Sequence, residues 1–456
     1  MDFPIFQADF FGNRFLIALI AIVHVIINHS FAVGLMPTLT FFEWWAHRTG
    51  REDWDRLLYR ILAVAFVVTT SVGALTGVGI WFSTSVVNPA AIGSLLRVFY
   101  WAWFSEWVVF VCEVVLILAY FLTWKRMTGA RKTTHIRIGI ALSVMSWLTM
   151  AIITAILGFM MNPGSWPQHL DLLAGFLNPA YIPQLFFRTT AAMAMAGSLA
   201  LALAVLFTGR KTDLRSESVR HFAGWTLFWI VPLTLWSLVY YQAIPAEMMT
   251  NLPVAFGTQA WAVHYGLLLK FTLAVALISL GVNVWALVRP RSAWSFIWVV
   301  PFLSICLLIA QFERTRQFIR KPYVLAYYMF SNGVRIDEAP YLAKTGLLAN
   351  SAWTINRTVS PDNRTEAGRE VFLLACSRCH TINGANSIRT NLSRLYPGQT
   401  WSEEAIEGYV KNIHGARPYM PPFPGTAAER KALASYLAAL QTKSDRIASN
   451  ASIPRN

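Results

Sequence analysis

Eight apolar runs dominate the chain, near 15–38, 57–82, 98–124, 137–161, 182–208, 222–243, 261–288 and 293–312. Each reaches the length of about 20 residues that a helix needs to cross roughly 30 Å of hydrocarbon. Inside a bilayer every backbone N–H and C=O must be satisfied within the segment, which leaves the α-helix as the form for such runs. The pattern predicts an all-α fold, a polytopic membrane helix bundle of about eight spans. Composition agrees: 55% of the 456 residues are hydrophobic and 13% charged, against roughly 25% charged in a soluble chain. A single soluble globule is excluded. The net charge of +15 belongs to loops between spans and calls for no nucleic acid partner. Four Cys are too few for a disulfide scaffold. Cys112 and Cys306 lie far apart in apolar runs and read as core residues. Met1–Asn13 carries two Asp and no Lys or Arg, and the first apolar run continues to full span length, so no cleavable signal peptide is expected.

Loop charge sets the orientation. The loops after spans 1, 3, 5 and 7 hold fifteen Lys and Arg, among them Arg48, Arg51, Lys125, Lys132, Arg210 and Arg289. The amino-terminal tail and the loops after spans 2, 4 and 6 offer Arg14, Arg97 and Arg188 alone. The odd loops are therefore expected in the cytoplasm, with both termini in the periplasm of a bacterial inner membrane. Composition then divides the chain into a membrane domain at 1–330, a polar linker at 331–363 and a small α-helical soluble domain at 364–445. That domain opens with a helical pattern at Thr365–Ala375 and closes with another at Thr426–Leu440.

The soluble domain contains Cys376-Ser-Arg-Cys379-His380, the C-x-x-C-H spacing of a covalent c-type haem. Two thiols add to the two vinyl groups of one porphyrin, and the adjacent His reaches the iron. A zinc half-site would want a second Cys/His pair, and the domain has no other Cys. The far ligand is expected from Met420, in the Pro-stiffened Tyr419-Met420-Pro421-Pro422-Phe423-Pro424, where a thioether raises the reduction potential. His414 is the alternative. From first helix to last, this segment resembles a class I cytochrome c. Haem c is attached outside the cytoplasm, in accord with the loop charge.

Ionisable residues within spans are costly and mark function. Span 1 holds His24 and His29, span 3 Glu106 and Glu113 on one helix face, span 7 His264 and Lys270, and span 8 ends at Glu313. His24, Glu106, His264 and Glu313 all fall in the outer half of the bilayer by their distance along the spans. Such a cluster predicts one or more haem b-type groups, with His24 as a candidate iron ligand and His264 and Glu313 as candidate cofactor contacts; a structural His or a Glu–Arg pair is the alternative. Glu106 and Glu113 are candidates to carry protons. His135 and His221 lie at helix ends, His47 and His169 in loops, and all four are expected to be solvated.

The membrane domain resembles subunit I of the cytochrome bd oxygen reductases. Arg14, followed ten residues later by His24, is similar to that family's first-span pattern, whose His ligates haem. Gly73-Ala-Leu-Thr76-Gly77 resembles its G-x-x-T-G. Phe104-Ser-Glu106-Trp-Val-Val-Phe110 resembles its F-L-E-x-x-F, whose Glu lies beside the active-site haems. Gly158-Phe-Met160-Met-Asn162-Pro163 resembles its G-W-M-Q-x-P, and Arg320-Lys-Pro322-Tyr323 loosely its G-R-Q-P-W. Departures accompany the matches. The family's fifth-span His, a low-spin haem ligand, falls at Phe187-Arg188-Thr189 here. No Met stands near Trp261–Gly266, where the family supplies one. The external quinol loop shrinks to about Ala243–Gln259, and a second span-3 Glu is replaced by Val98.

The resemblance implies an oxidoreductase of the respiratory chain that holds haem b-type or haem d groups in its membrane domain and works with other membrane subunits. One reading is a bd-like terminal oxidase subunit that receives electrons through its own haem c from a periplasmic cytochrome c or similar carrier and reduces oxygen. A second is a quinol:cytochrome c oxidoreductase, with Lys270 and His264 at the quinol. A third is a non-catalytic relay subunit of a larger complex.

Overall fold

The computed structural model describes residue 4 and residues 6–209, 212–256, 265–291 and 295–441. Among the described residues eight helices are long and apolar enough to cross a membrane, as expected: α1 (Asn13–Thr49), α2 (Glu52–Val87), α3 (Tyr100–Thr123), α4 (Gly129–Met161), α5 (Tyr181–Phe207), α6 (Asp213–Ala243), α7 (Leu267–Val288) and α8 (Phe296–Ile319). Helix α1 continues past the expected end at 38. It stops at Gly50, whose φ of 68° is the left-handed conformation that closes helices and whose N–H caps the Ala46 carbonyl. Helices α1 and α2 each contain a π turn, Asn28–Gly34 and Thr69–Gly73, a local unwinding that recurs at functional sites.

The chain forms two compact units. One comprises Ala21–Val78 and Leu96–Arg316. Its centre is α5, buried along most of its length. The run Thr189-Thr-Ala-Ala-Met-Ala-Met-Ala-Gly-Ser-Leu-Ala explains this, because small side chains let neighbouring helices approach closely. Gly34 of α1 lies against Ala192 and Ala196, and Gly197 lies against Trp225 and Thr226 of α6. At another level of this unit Trp54, Tyr120, Trp124 and Trp298 pack into one apolar core. The outward face of α3, with Trp101, Phe104 and Trp107, stays exposed, as a lipid-facing surface requires.

The other unit comprises Met1–Ile20, Gly79–Leu95 and Gln317–Asn456. Its carboxy-terminal part is built on the helices α9 (Arg364–Ala375), α10 (Ile388–Leu395), α11 (Glu403–Lys411) and α12 (Ala427–Ala439), with a single short turn of helix at Ile413–Ala416. Their starts are written in the sequence. Ser387 and Ser402 each accept the amide three residues on, and Thr426 with Glu429 forms a capping box. Helices α9 and α12 cross over a core of Val371, Phe372, Leu433 and Leu437. Residues 331–363, expected as a linker from their polarity, carry two short helices, Ala339–Thr345 and Leu347–Asn350. They contribute Val334, Leu342, Leu347 and Leu348 to the same core. Glu429 ties them down by accepting the Leu348 amide at 2.7 Å.

Candidate haem sites and buried proton-carrying groups

In the second unit α9 ends on the C-x-x-C-H motif. The Cys379 and His380 amides both return to the Cys376 carbonyl, at 3.0 and 2.9 Å, which folds the motif into a tight turn. Both thiols are free. Burial pushes the Cys376 thiol up to about 12. Burial also raises Cys379, but Lys321, with its Nζ 3.6 Å from the sulfur, and Arg14 pull it below the usual thiol value. Burial lowers His380 to about 4, so the ring is neutral. Its Nδ1–H donates to the Asn386 carbonyl at 3.3 Å, which leaves Nε2 with a lone pair. An oriented, neutral imidazole beside two free thiols fits a covalently held haem.

Met420 is half-buried. Its amide donates to the Arg417 carbonyl at 2.8 Å. Its own carbonyl accepts from His414 Nδ1 at 2.7 Å. His414, the alternative ligand, is exposed and stands as a brace for the loop that presents Met420. The amino-terminal tail closes the motif loop from another side. Asp9 accepts the Ile382 amide at 2.8 Å, and Asn13 donates to the Ser377 carbonyl at 3.2 Å.

In the first unit His24 Nδ1 lies 3.2 Å from Thr76 Oγ1. The Thr76 hydroxyl gives its proton to the Val72 carbonyl at 2.7 Å, so it accepts from His24. The imidazole therefore carries hydrogen on Nδ1 and a lone pair on Nε2, the tautomer that binds a metal. Gly77 allows the approach: a Cβ there would sit 3.2 Å from His24 Cε1. The residues of G-x-x-T-G thus position the His of α1.

Arg188, 2% exposed, donates to Glu313 Oε1 at 2.6 Å and to His29 Nε2 at 3.3 Å. Arg316 engages Glu313 Oε2 at 2.9 Å. The role visible for Glu313 is to balance two guanidiniums. Among the described residues, Arg316 Nη1 in this cluster is a buried donor without an acceptor, an arrangement that fits a carboxylate-bearing group. His264 lies outside the described residues, and Lys270 is exposed.

On α3 the inward stripe reads Glu106, Glu113, Tyr120, seven residues apart. Glu113 accepts from Ser146 at 2.7 Å and from Thr149 at 3.2 Å, both on α4. Below it lies a cluster that the sequence did not reveal. Glu43, with 0% exposure, accepts Tyr120 Oη at 2.6 Å, pairs with His135 Nδ1 at 2.5 Å and with Lys132 Nζ at 2.7 Å. His135 was expected in solvent and is instead wholly buried, because Glu43 and the Tyr120 carbonyl satisfy both ring nitrogens. His221 is half-buried against Trp45 and Trp54. Glu43 stands in Phe41-Phe42-Glu43-Trp44-Trp45; continuing the helical period past 38 was the signal that would have found it.

The model of the family described as cytochrome bd terminal oxidase subunit I matches residues 13–240, half of the chain. That of cytochrome c oxidase, cbb3-type, subunit III matches 363–437. Among solved structures, the bd oxidase from Geobacillus thermodenitrificans superposes with a TM-score of 0.58 at 16% identity, over 70% of this chain and 88% of that one; at this identity the likeness speaks for the fold. No curated protein matches the chain.

Proposed function

The chain belongs to the cytochrome bd terminal oxidase subunit I family, and on that premise we propose that it reduces oxygen with electrons admitted through its own haem c. It is a multi-pass membrane oxidoreductase of respiratory electron transfer with a cytochrome c domain at its carboxy-terminal end. In the finer reading Cys376 and Cys379 would hold a haem covalently, His380 and Met420 would hold its iron, and His24 Nε2 would hold the iron of an intramembrane haem. Haem, when bound, would supply one-electron transfer and a site for oxygen. Glu106 and Glu113 hold and pass the four protons that join four electrons and one oxygen molecule to form two waters. Loop charge supports a periplasmic haem c domain, reached by an external cytochrome or similar carrier.

The observation that carries this reading is Arg188. Where the family resemblance calls for a low-spin haem ligand, α5 presents a guanidinium locked to Glu313 at 2.6 Å. A chain without that ligand needs another electron entry, and it carries one in the C-x-x-C-H domain. Oxygen consumption by the purified protein tests the reading. Reduced cytochrome c should support turnover; turnover with quinol and none with reduced cytochrome c would reject it in favour of quinol oxidation.

A further inference from the structure

We propose that Glu43, His135, Tyr120, Lys132 and Asp55 form a proton-entry station that feeds Glu113 along the α3–α4 interface. The inference rests on the reading of Glu113 as a proton carrier and extends it to residues the resemblance does not single out.

The station holds a proton that can move. His135 Nε2 lies 2.8 Å from the Tyr120 carbonyl. A carbonyl only accepts, so Nε2 carries hydrogen. One further proton then occupies the 2.5 Å contact between His135 Nδ1 and Glu43 Oε1. Lys132 bridges Glu43 to Asp55 Oδ1 at 2.6 Å. Lys132, His135, Glu43 and Asp55 pair two bases with two acids, and their total charge is one sum wherever the shared proton sits. Shifting the shared proton from His135 to Glu43 leaves that sum unchanged, so it adds no net charge to a buried site, where an uncompensated charge is costly. Glu43 and His135 have 0% exposure, while the Asp55 side chain has 36%. Asp55 is the mouth of the station.

A path leads onward. His135, Gly139, Ser143 and Ser146 recur at spacings of three and four on α4, one face of the helix. Gly139 has no side chain, and a Cβ there would lie 2.6 Å from Thr40 Oγ1 and 2.8 Å from Tyr120 Cε2; its absence keeps the hydroxyls of Thr40 and Tyr120 on the stripe. Ser143 donates to the Gly139 carbonyl at 2.8 Å, and Ser146 reaches Glu113 at 2.7 Å. Tyr120 and Glu113 are about 10 Å apart along α3, a gap that the Ser143 hydroxyl and bridging water would span. Each proton entering at Asp55 leaves through Glu113, and the relay itself makes and breaks no net bond.

The test is infrared spectroscopy of the oxidised holoprotein transferred to D2O. Glu113→Gln identifies the Glu113 carboxylic acid band, and the rate of its deuterium shift is then read in variants. Glu43→Gln and Tyr120→Phe should slow that exchange on the order of 100-fold, the scale of losing a placed proton-transfer group; Glu43→Asp should restore much of it. Exchange as fast as wild type in both variants, with unchanged haem spectra, would overturn the proposal. So would a wild type lacking the Glu113 acid band, since Glu113 would then hold no proton to pass. If Glu43→Gln fails to fold, Tyr120→Phe, which removes one oxygen and no charge, decides alone. Slowed exchange in a protein that consumes no oxygen with any donor would retain the station and reject the oxidase reading.

Discussion

Gly368 and Ala432 meet where the first and last helices of the cytochrome c domain cross, and a Cβ at 368 would overlap the Ala432 carbonyl. The contact sets the distance between α9 and α12, and α9 carries the haem motif at its end. Gly368→Ala should therefore cost about 1–3 kcal/mol through overpacking. Thermal unfolding followed by haem absorbance should show a lower midpoint, together with less covalent haem in the purified protein.

Replacing Cys376 and Cys379 by Ala should abolish covalent haem. Haem-stained denaturing gels of the double variant should show no band, while non-covalent haem in the membrane unit remains. A surviving band would refute the attachment site.

Met420→His should keep a six-coordinate haem and lower its reduction potential by on the order of 0.1 V, since imidazole donates more strongly than thioether. His414→Ala removes only the brace on the Met420 carbonyl and should leave the ligand set intact. Redox titration of the c-type band separates the two. A ligand change in His414→Ala but none in Met420→His would reverse the assignment.

His24→Ala should remove one non-covalent haem and leave haem c in place, as counted by pyridine haemochrome. Thr76→Val deletes the acceptor that fixes the His24 tautomer. It should weaken haem retention about 10–100-fold, the range for groups that orient a metal-bound His. A full haem complement in His24→Ala would mean that the imidazole packs helices instead.

Glu313→Gln leaves two buried guanidiniums, Arg188 and Arg316, without their carboxylate. A loss of about 3–5 kcal/mol follows from breaking a buried pair on one side. The double variant Arg188→Met/Glu313→Gln should recover part of it. Detergent unfolding midpoints measure both.

The spans and the haem c motif were legible because each is a local signal: an uninterrupted apolar run or five consecutive residues. Glu43 was not, since its partners Tyr120, Lys132 and His135 lie far along the sequence and no local pattern pairs a lone Glu in an aromatic run with them. The tail contacts of Asp9 and Asn13 to residues 382 and 377 escaped for the same reason. His135 was misjudged because position at a helix end says nothing of what a distant helix brings over it. Arg188 stood out in the sequence as an anomaly, and only the fold supplied Glu313 and His29 as its company.

The π turns at Asn28–Gly34 and Thr69–Gly73 flank the His24–Thr76 pair, one on each helix, and they act as phase shifters. Each residue of an α-helix advances the side chain by about 100°, so an added residue absorbed in a wide turn offsets everything on one side of it by that angle. A helical wheel drawn straight through α1 therefore misplaces His24 relative to Glu43. Deleting one residue from Asn28–Gly34 would let the helix close into a regular spiral with its packing faces hydrophobic as before, yet it would swing the His24 ring about a quarter of a circle away from Thr76. The two ends of α1 are thus timed against each other by a defect in the helix, and insertions or deletions there would be felt at the imidazole before they were felt in stability.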